Sequence, residues 1–104
     1  MQIALLLTTV AKKSDARHLA TVALQRRLAA CIQVLPRVES HYLWNKKKVI
    51  SREYLILAKT TPRQSKSLEK LWKKIHPYDC AELVTLSARA AASYARWIQT
   101  SLSP

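Results

Sequence analysis

The chain contains no glycine. Phosphate-cradling loops and dinucleotide fingerprints need glycine for close backbone approach, so both are excluded. Cysteine is limited to Cys31 and Cys80, far apart and without a Cys-x-x-Cys pair. That usage reads as two reduced thiols rather than a disulfide framework. No stretch approaches the ~20 apolar residues needed to cross a bilayer. The opening apolar run over residues 3–7 is too short for a signal segment and has no basic residue before it. These absences predict a cytoplasmic protein with no membrane partner.

Catalytic arrangements are missing as well. There is no serine–histidine–acid set with a recognisable elbow and no His-x-x-x-His pair. His18, His41 and His76 fall on different predicted elements. The expectation is a protein that is not an enzyme.

Acidic residues are scarce, 6 against 18 Lys and Arg, which leaves a formal net charge of +12. Such an excess concentrates polyanions around a protein and can support non-specific nucleic-acid contact. Along the sequence, however, the basic residues are scattered from Lys12 to Arg96, and the longest run is Lys46-Lys47-Lys48. No aromatic-interleaved basic motif accompanies them. Nucleic acid is therefore not the expected partner, and non-specific nucleic-acid binding through the basic surface is the third and least favoured functional reading.

What is present suits one folded unit. The 104 residues, 49% apolar and 23% charged, are enough for a single domain over residues 1–104 and too few for two. A domain this small buries only about 60–70% of the surface its unfolded chain exposes. Apolar surface that does not fit one core has a natural place in subunit contacts.

Residues 3–7 are apolar at consecutive positions, as in a strand covered on both faces. Ser14 or Asp15 is a candidate cap for a helix whose apolar residues, Ala16, Leu19, Ala20, Ala23, Leu24 and Leu28, recur at three- and four-residue steps. Two β-prone stretches follow, residues 31–44, broken by Pro36, and residues 49–59. Between them Asn45 tolerates a left-handed turn, which predicts a long antiparallel hairpin projecting past its own sheet. Thr61 as N-cap, Pro62 behind it and Gln64 open a second helix. Its stripe is Leu68, Leu71, Trp72 and Ile75, and Pro77 ends it. Residues 81–86 predict a fourth strand, and Tyr94, Trp97, Ile98 and Leu102 lie on one side of a closing helix. Trp72 and Trp97 are both expected in the core. The order β-α-β-β-α-β-α predicts an α+β, ferredoxin-like split β-α-β sandwich with an extra C-terminal helix. Both early helices would cover one sheet face, leaving the other for identical subunits.

The strings Arg27-Leu28-Ala29-Ala30-Cys31-Ile32, Leu35-Pro36, Tyr42-Leu43-Trp44, Lys59-Thr60-Thr61 and His76-Pro77-Tyr78, with Tyr94 and Trp97, resemble the CutA divalent-cation tolerance family over nearly the whole chain. The resemblance implies a ferredoxin-like homotrimer joined through its long hairpin. It also implies a role in divalent-metal tolerance with copper binding, and no established enzyme activity. The chain departs from the family pattern in having Pro36-Arg37 for Pro-Gly and Asn45-Lys46 where a glycine usually follows the tryptophan. It has Ser51-Arg52-Glu53 for an acidic cluster, and Thr8 where relatives can carry cysteine.

Candidate metal ligands are His76, Cys80 and Glu82, for Cu(II) or another divalent cation, since imidazole, thiolate and carboxylate are the donors such ions take. His-Pro after a helix is also an ordinary helix stop, and Asp79 and Glu82, which could stabilise nearby cations, are more commonly plain surface charges. Loss of Cu(II) affinity on His76→Ala is the matching expectation. Cys31, Tyr42, Trp44 and Tyr78 are candidate ligand-cleft residues, and Tyr42, Trp44 and Trp97 candidate trimer-interface residues. Against this, Cys31 reads as a small buried hydrophobe and the aromatics as packing anchors. A second functional reading is a small-molecule sensor resembling the PII signal-transduction trimers, with an anionic ligand between subunits. Lys46 to Lys48 could contact phosphates, but they read first as a solubilised hairpin tip.

Overall fold

The computed structural model describes residues 1–104 as β1 (Gln2–Val10), α1 (Lys13–Gln25), β2 (Cys31–Trp44), β3 (Lys47–Thr60), α2 (Pro62–Ile75), β4 (Val84–Arg89) and α3 (Ala92–Leu102). The strands form one antiparallel sheet in the order β2-β3-β1-β4. This is the expected ferredoxin-like α+β sandwich with its added helix.

Period-two alternation along β1 assigns the two faces. Leu6 and Val10 point to one side, where they pack with Ile56 and Ala58 of β3. Ala16, Leu19 and Ala23 of α1 and Leu68, Leu71 and Trp72 of α2 cover them. Trp72 is fully buried, and its indole Nε1–H donates to the Leu19 carbonyl at 3.1 Å, joining the two helices. Ile3 points to the opposite face, where Ala95, Ile98 and Leu102 of α3 cover one end of the sheet.

Leu5 packs at the margin of that cluster, and at the hairpin end Thr9 and Glu53 are buried, but much of the face between is left open. Leu7 lies opposite Leu57 and Val84, Leu5 opposite Leu86, and Leu35 opposite Leu55. Leu35, Val84 and Leu86 are 44%, 44% and 46% exposed. Contiguous apolar surface of this kind on a small protein marks an interaction face.

The hairpin outgrows its sheet as expected. β1 pairs with β3 only from Tyr54 onward, so residues 47–53 pair with β2 alone. The arm stretches the molecule to 44 × 24 × 21 Å. Its radius of gyration is 14.3 Å, against about 13 Å for a compact chain of this length. Trp44 pairs with Lys47, so the turn is the two residues Asn45 and Lys46, with φ of 51° and 63°. Two positive φ values define the hairpin turn whose twist matches its strands. Lys46 thus joins Asn45 in the left-handed region, at a steric cost that glycine avoids. The same cost arises at Arg37, φ 59°, in a bulge between Leu35 and Val38. Pro36 is tolerated there because β2 is an edge strand.

The ends of α1 differ from expectation. Lys12 occupies the N-cap position with no side-chain bond, and its carbonyl already accepts from Ala16, so Ser14 and Asp15 lie inside the first turn. At the other end Arg27 takes φ 55°, with Arg27 N–H on Leu24 and Leu28 N–H on Ala23. That is a Schellman closure, normally made with glycine. α2 starts as expected: the Thr61 hydroxyl accepts from the Gln64 N–H at 3.2 Å, with Pro62 behind it.

Three further expectations need correction. The fourth strand is Val84–Arg89 rather than residues 81–86, because β1 offers pairing only from Leu7, opposite Val84, back to Gln2. Leu24 is 46% exposed, since the buried stripe of α1 is Ala16, Leu19 and Ala23. Trp97 is 48% exposed: α3 buries Ala95, Ile98 and Leu102, and Trp97 sits about 100° round the helix from Ile98. It stacks on Tyr94 instead, with ring centroids 5.7 Å apart.

Candidate functional site

The segment between α2 and β4 cannot continue the helix past His76, where Pro77 follows, so it turns back toward the base of the hairpin. Two side chains hold it there. Tyr78 donates its hydroxyl to Glu53 Oε2 at 2.9 Å, and the Tyr78 N–H donates to His76 Nδ1 at 3.0 Å. Because Nδ1 accepts, the ring proton sits on Nε2, which faces the Thr8 hydroxyl at 2.9 Å. The His76 and Tyr78 rings lie 5.1 Å apart.

Both ionisations are shifted by this packing. Burial lowers the His76 pKa from its ordinary 6.5, opposed by a backbone hydrogen bond with Thr9 and by the carboxylates of Asp15 and Glu53. Burial, followed by the hydrogen bond and charge of Glu53, raises the Tyr78 phenol well above its ordinary 10.0. A neutral His76 therefore belongs to the folded state. As pH falls through 6.5 the unfolded chain takes up the proton first, and stability drops until pH passes the lower folded value. Urea midpoints measured from about pH 7.5 to about pH 5 should fall, and His76→Gln should flatten that slope. A slope unchanged in the variant would assign the pH dependence elsewhere.

Between the hairpin arm and this segment lies an open groove of about 710 Å3. Tyr42, Trp44 and Tyr78 form its aromatic lining, and Glu53, Asp79, Cys80 and Glu82 bring acid and thiol, beside Thr9, Ser40, His41 and Val49. Three of the six acidic residues of the chain thus meet here, in a protein of net charge +12. Glu53 is 8% exposed, whereas Asp79, Cys80 and Glu82 are open to solvent. His41 is paired with Glu39 at 2.7 Å.

The groove brings together Cys80, Glu82, Tyr42, Trp44 and Tyr78. His76 and Cys31 do not line it. His76 lies behind the groove with both ring nitrogens in hydrogen bonds, and Cys31 is half-buried at the start of β2. Trp97 is on α3. His76, Cys80 and Glu82 do not converge as a three-donor set within one chain, because the helix stop points the imidazole inward to Thr8. Sequence reasoning names Asp79 only as a charge able to stabilise a nearby cation, and it misses Glu53, His41 and Thr9 as groove residues. No local signal marks these three, which reach the groove from β3, β2 and β1.

Glu53, Asp79, Cys80 and Glu82 are spread along the groove, and no three His, Cys, Asp or Glu side chains of one chain stand close enough together to hold a metal ion. This lining is not a closed structural site, which takes four ligands.

Comparison with known proteins gives the frame for this groove. The family model described as CutA1 divalent ion tolerance protein matches residues 4–101. The divalent-cation tolerance protein CutA of Thermus thermophilus is 35% identical over 94 residues, covering 89% of this chain and 91% of that protein. Vertebrate relatives are longer: this chain spans 63% of the CutA homologue of Danio rerio, at 30% identity. The solved structure of CutA from Synechococcus elongatus superposes with a TM-score of 0.92 at 34% identity, covering 98% of this chain and 91% of that one. With the fold, the hairpin arm and nearly the full length of the chain matched, the protein belongs to the CutA1 divalent ion tolerance family.

Proposed function

We propose that this chain works as a homotrimer that binds a divalent cation weakly, Cu(II) among them, with a structural or signalling role in metal tolerance rather than a catalytic one. The observation that carries the reading is that Glu53, Asp79 and Glu82 line one groove with Cys80 in an otherwise strongly basic protein, a lining that needs donors from a second copy to close around a cation. Carboxylates gathered against the overall charge give cations a local well of potential. The open sheet face with Leu35, Val84 and Leu86, and the arm with Leu43 77% and Trp44 58% exposed, support the assembly. Glu53 and Thr9 lie on the same sheet face as Leu55, so a copy docked on that face borders the groove and can add donors. Tyr42, Trp44 and the exposed Trp97 are available to such a contact. Two free cysteines, with Cys80 exposed, suit a reducing compartment such as the cytoplasm.

Calorimetry with Cu(II) tests the groove. Asp79→Asn with Glu82→Gln should lower the affinity at least about tenfold, or ~1.4 kcal/mol. Equal heats for wild type and the double variant would remove the groove from metal binding. The aromatic lining of Tyr42, Trp44 and Tyr78 favours a second reading, a small-molecule sensor of the PII type. The carboxylates then argue for a cationic or neutral ligand over an anionic one. A melting point that rises with such a compound and ignores Cu(II) would select this reading.

A further inference from the structure

The helical spacing of α2 already sets Lys66, Lys70, Lys73 and Lys74 off its apolar stripe, and the fold shows where that other face looks. Arg63, Lys66, Lys70, Lys73 and Lys74 of this helix are all exposed. At about 100° per residue they fall within one arc of about 100°. That arc lies opposite Leu68, Leu71 and Trp72, which face the core. The stripe is about 16 Å long, from the rise of a helix. Glu69 flanks it and is the sole acid of the helix. No Lys or Arg side chain of the protein is in an ion pair, the only pairing with a carboxylate being that of His41 with Glu39. These five cations therefore meet solvent unneutralised.

We propose that this stripe is a track for the phosphodiester backbone of duplex nucleic acid, bound without regard to sequence. A length of about 16 Å of duplex carries roughly ten phosphate charges, a linear density that a single row of cations can follow. The stripe holds no aromatic residue, so it offers no stacking platform for unpaired bases. It also holds no exposed apolar residue, so it has nothing to insert into a lipid surface. Phosphate contact without base contact gives affinity but no sequence preference. The stripe faces away from the sheet, so copies docked on the open sheet face leave it free.

The test compares two variants of equal charge, in the full chain. Lys66→Gln/Lys70→Gln/Lys73→Gln alters the stripe, and Lys46→Gln/Lys47→Gln/Lys48→Gln alters the hairpin tip. Glutamine keeps good helix propensity and these side chains are exposed, so the fold is retained. Unchanged circular dichroism and melting check this, and Lys70→Glu alone serves if the triple variant does not fold. Fluorescence anisotropy with a labelled random-sequence duplex, from low to physiological salt, is the readout. The stripe variant should bind at least about tenfold more weakly, and the slope of log K on log salt should fall by about 0.9 for each phosphate no longer neutralised. The hairpin variant should be weakened clearly less. Equal weakening in the two would assign binding to net charge alone and overturn the proposal. A flat salt response, no duplex binding at low salt, or tighter binding to phosphatidylserine vesicles than to duplex would overturn it as well.

Discussion

Leu35→Asp combined with Leu86→Asp is expected to convert the proposed three-chain assembly into single chains of 11.9 kDa. Both leucines are nearly half exposed in one chain, so the charges stay hydrated there and the isolated fold tolerates them. In an assembly that closes over the open face, the same positions lose water. Each leucine forfeits about 1.5–3 kcal/mol of burial, and each unpaired carboxylate adds several kcal/mol of desolvation. A loss of even ~4 kcal/mol weakens association about a thousandfold. Sedimentation velocity at low micromolar concentration reads the outcome directly. Wild-type protein with the mass of one chain would sink the proposed assembly. Retention of the trimer mass in the double variant would show that copies meet elsewhere.

Trp72→Ala should cause the largest loss of stability within a single chain. The indole is fully buried and ties α2 to α1 through the Leu19 carbonyl. Truncation leaves a large cavity between helices and sheet, at a cost of about 3–5 kcal/mol. A domain of this size has about 5–15 kcal/mol in total, so the melting point should drop by at least about 12 °C. Trp97→Ala is the contrast. Its ring is half exposed and stacks on Tyr94, so its removal should cost about 1 kcal/mol or less. Both are best measured in the Leu35→Asp/Leu86→Asp background, where the proposed interface does not contribute. Equal losses for the two tryptophans would contradict the core described here.

The difference between those tryptophans shows how far the sequence can be read. α2 is legible because its cap, first-turn proline and apolar stripe are local signals, all within residues 61–77. The hairpin is legible because Asn45 stands between two β-prone runs, although the turn also forces Lys46 into the left-handed region. Trp97 is misread because its loose stripe of aromatics outweighs, in a sequence, the tighter set of Ala95, Ile98 and Leu102. Composition places β4 three residues early, since pairing with β1 decides where the strand starts. Arg37, Asn45 and Lys46 all take positive φ in a chain that has no glycine. The turn and the bulge form although the residue best suited to that backbone geometry is absent.

The groove is only partly legible for a related reason. Tyr42, Trp44, Tyr78, Cys80 and Glu82 are visible as candidates, but nothing local tells that Glu53 meets Tyr78 across 25 residues. His76 stands out as a ligand from its residue type. Its hydrogen bonds to Thr8 and Tyr78 turn it into a brace for the segment instead.

By itself the sequence determined the elements and their order, the length of the hairpin and the family, because caps, turn residues and apolar periods act over a few neighbouring positions. Tertiary structure alone decided which sheet face stays open, which tryptophan is core, and that three scattered carboxylates meet in one groove. Those outcomes depend on contacts between residues remote in the chain, where register and crossover, rather than local preference, set which side chains share a space.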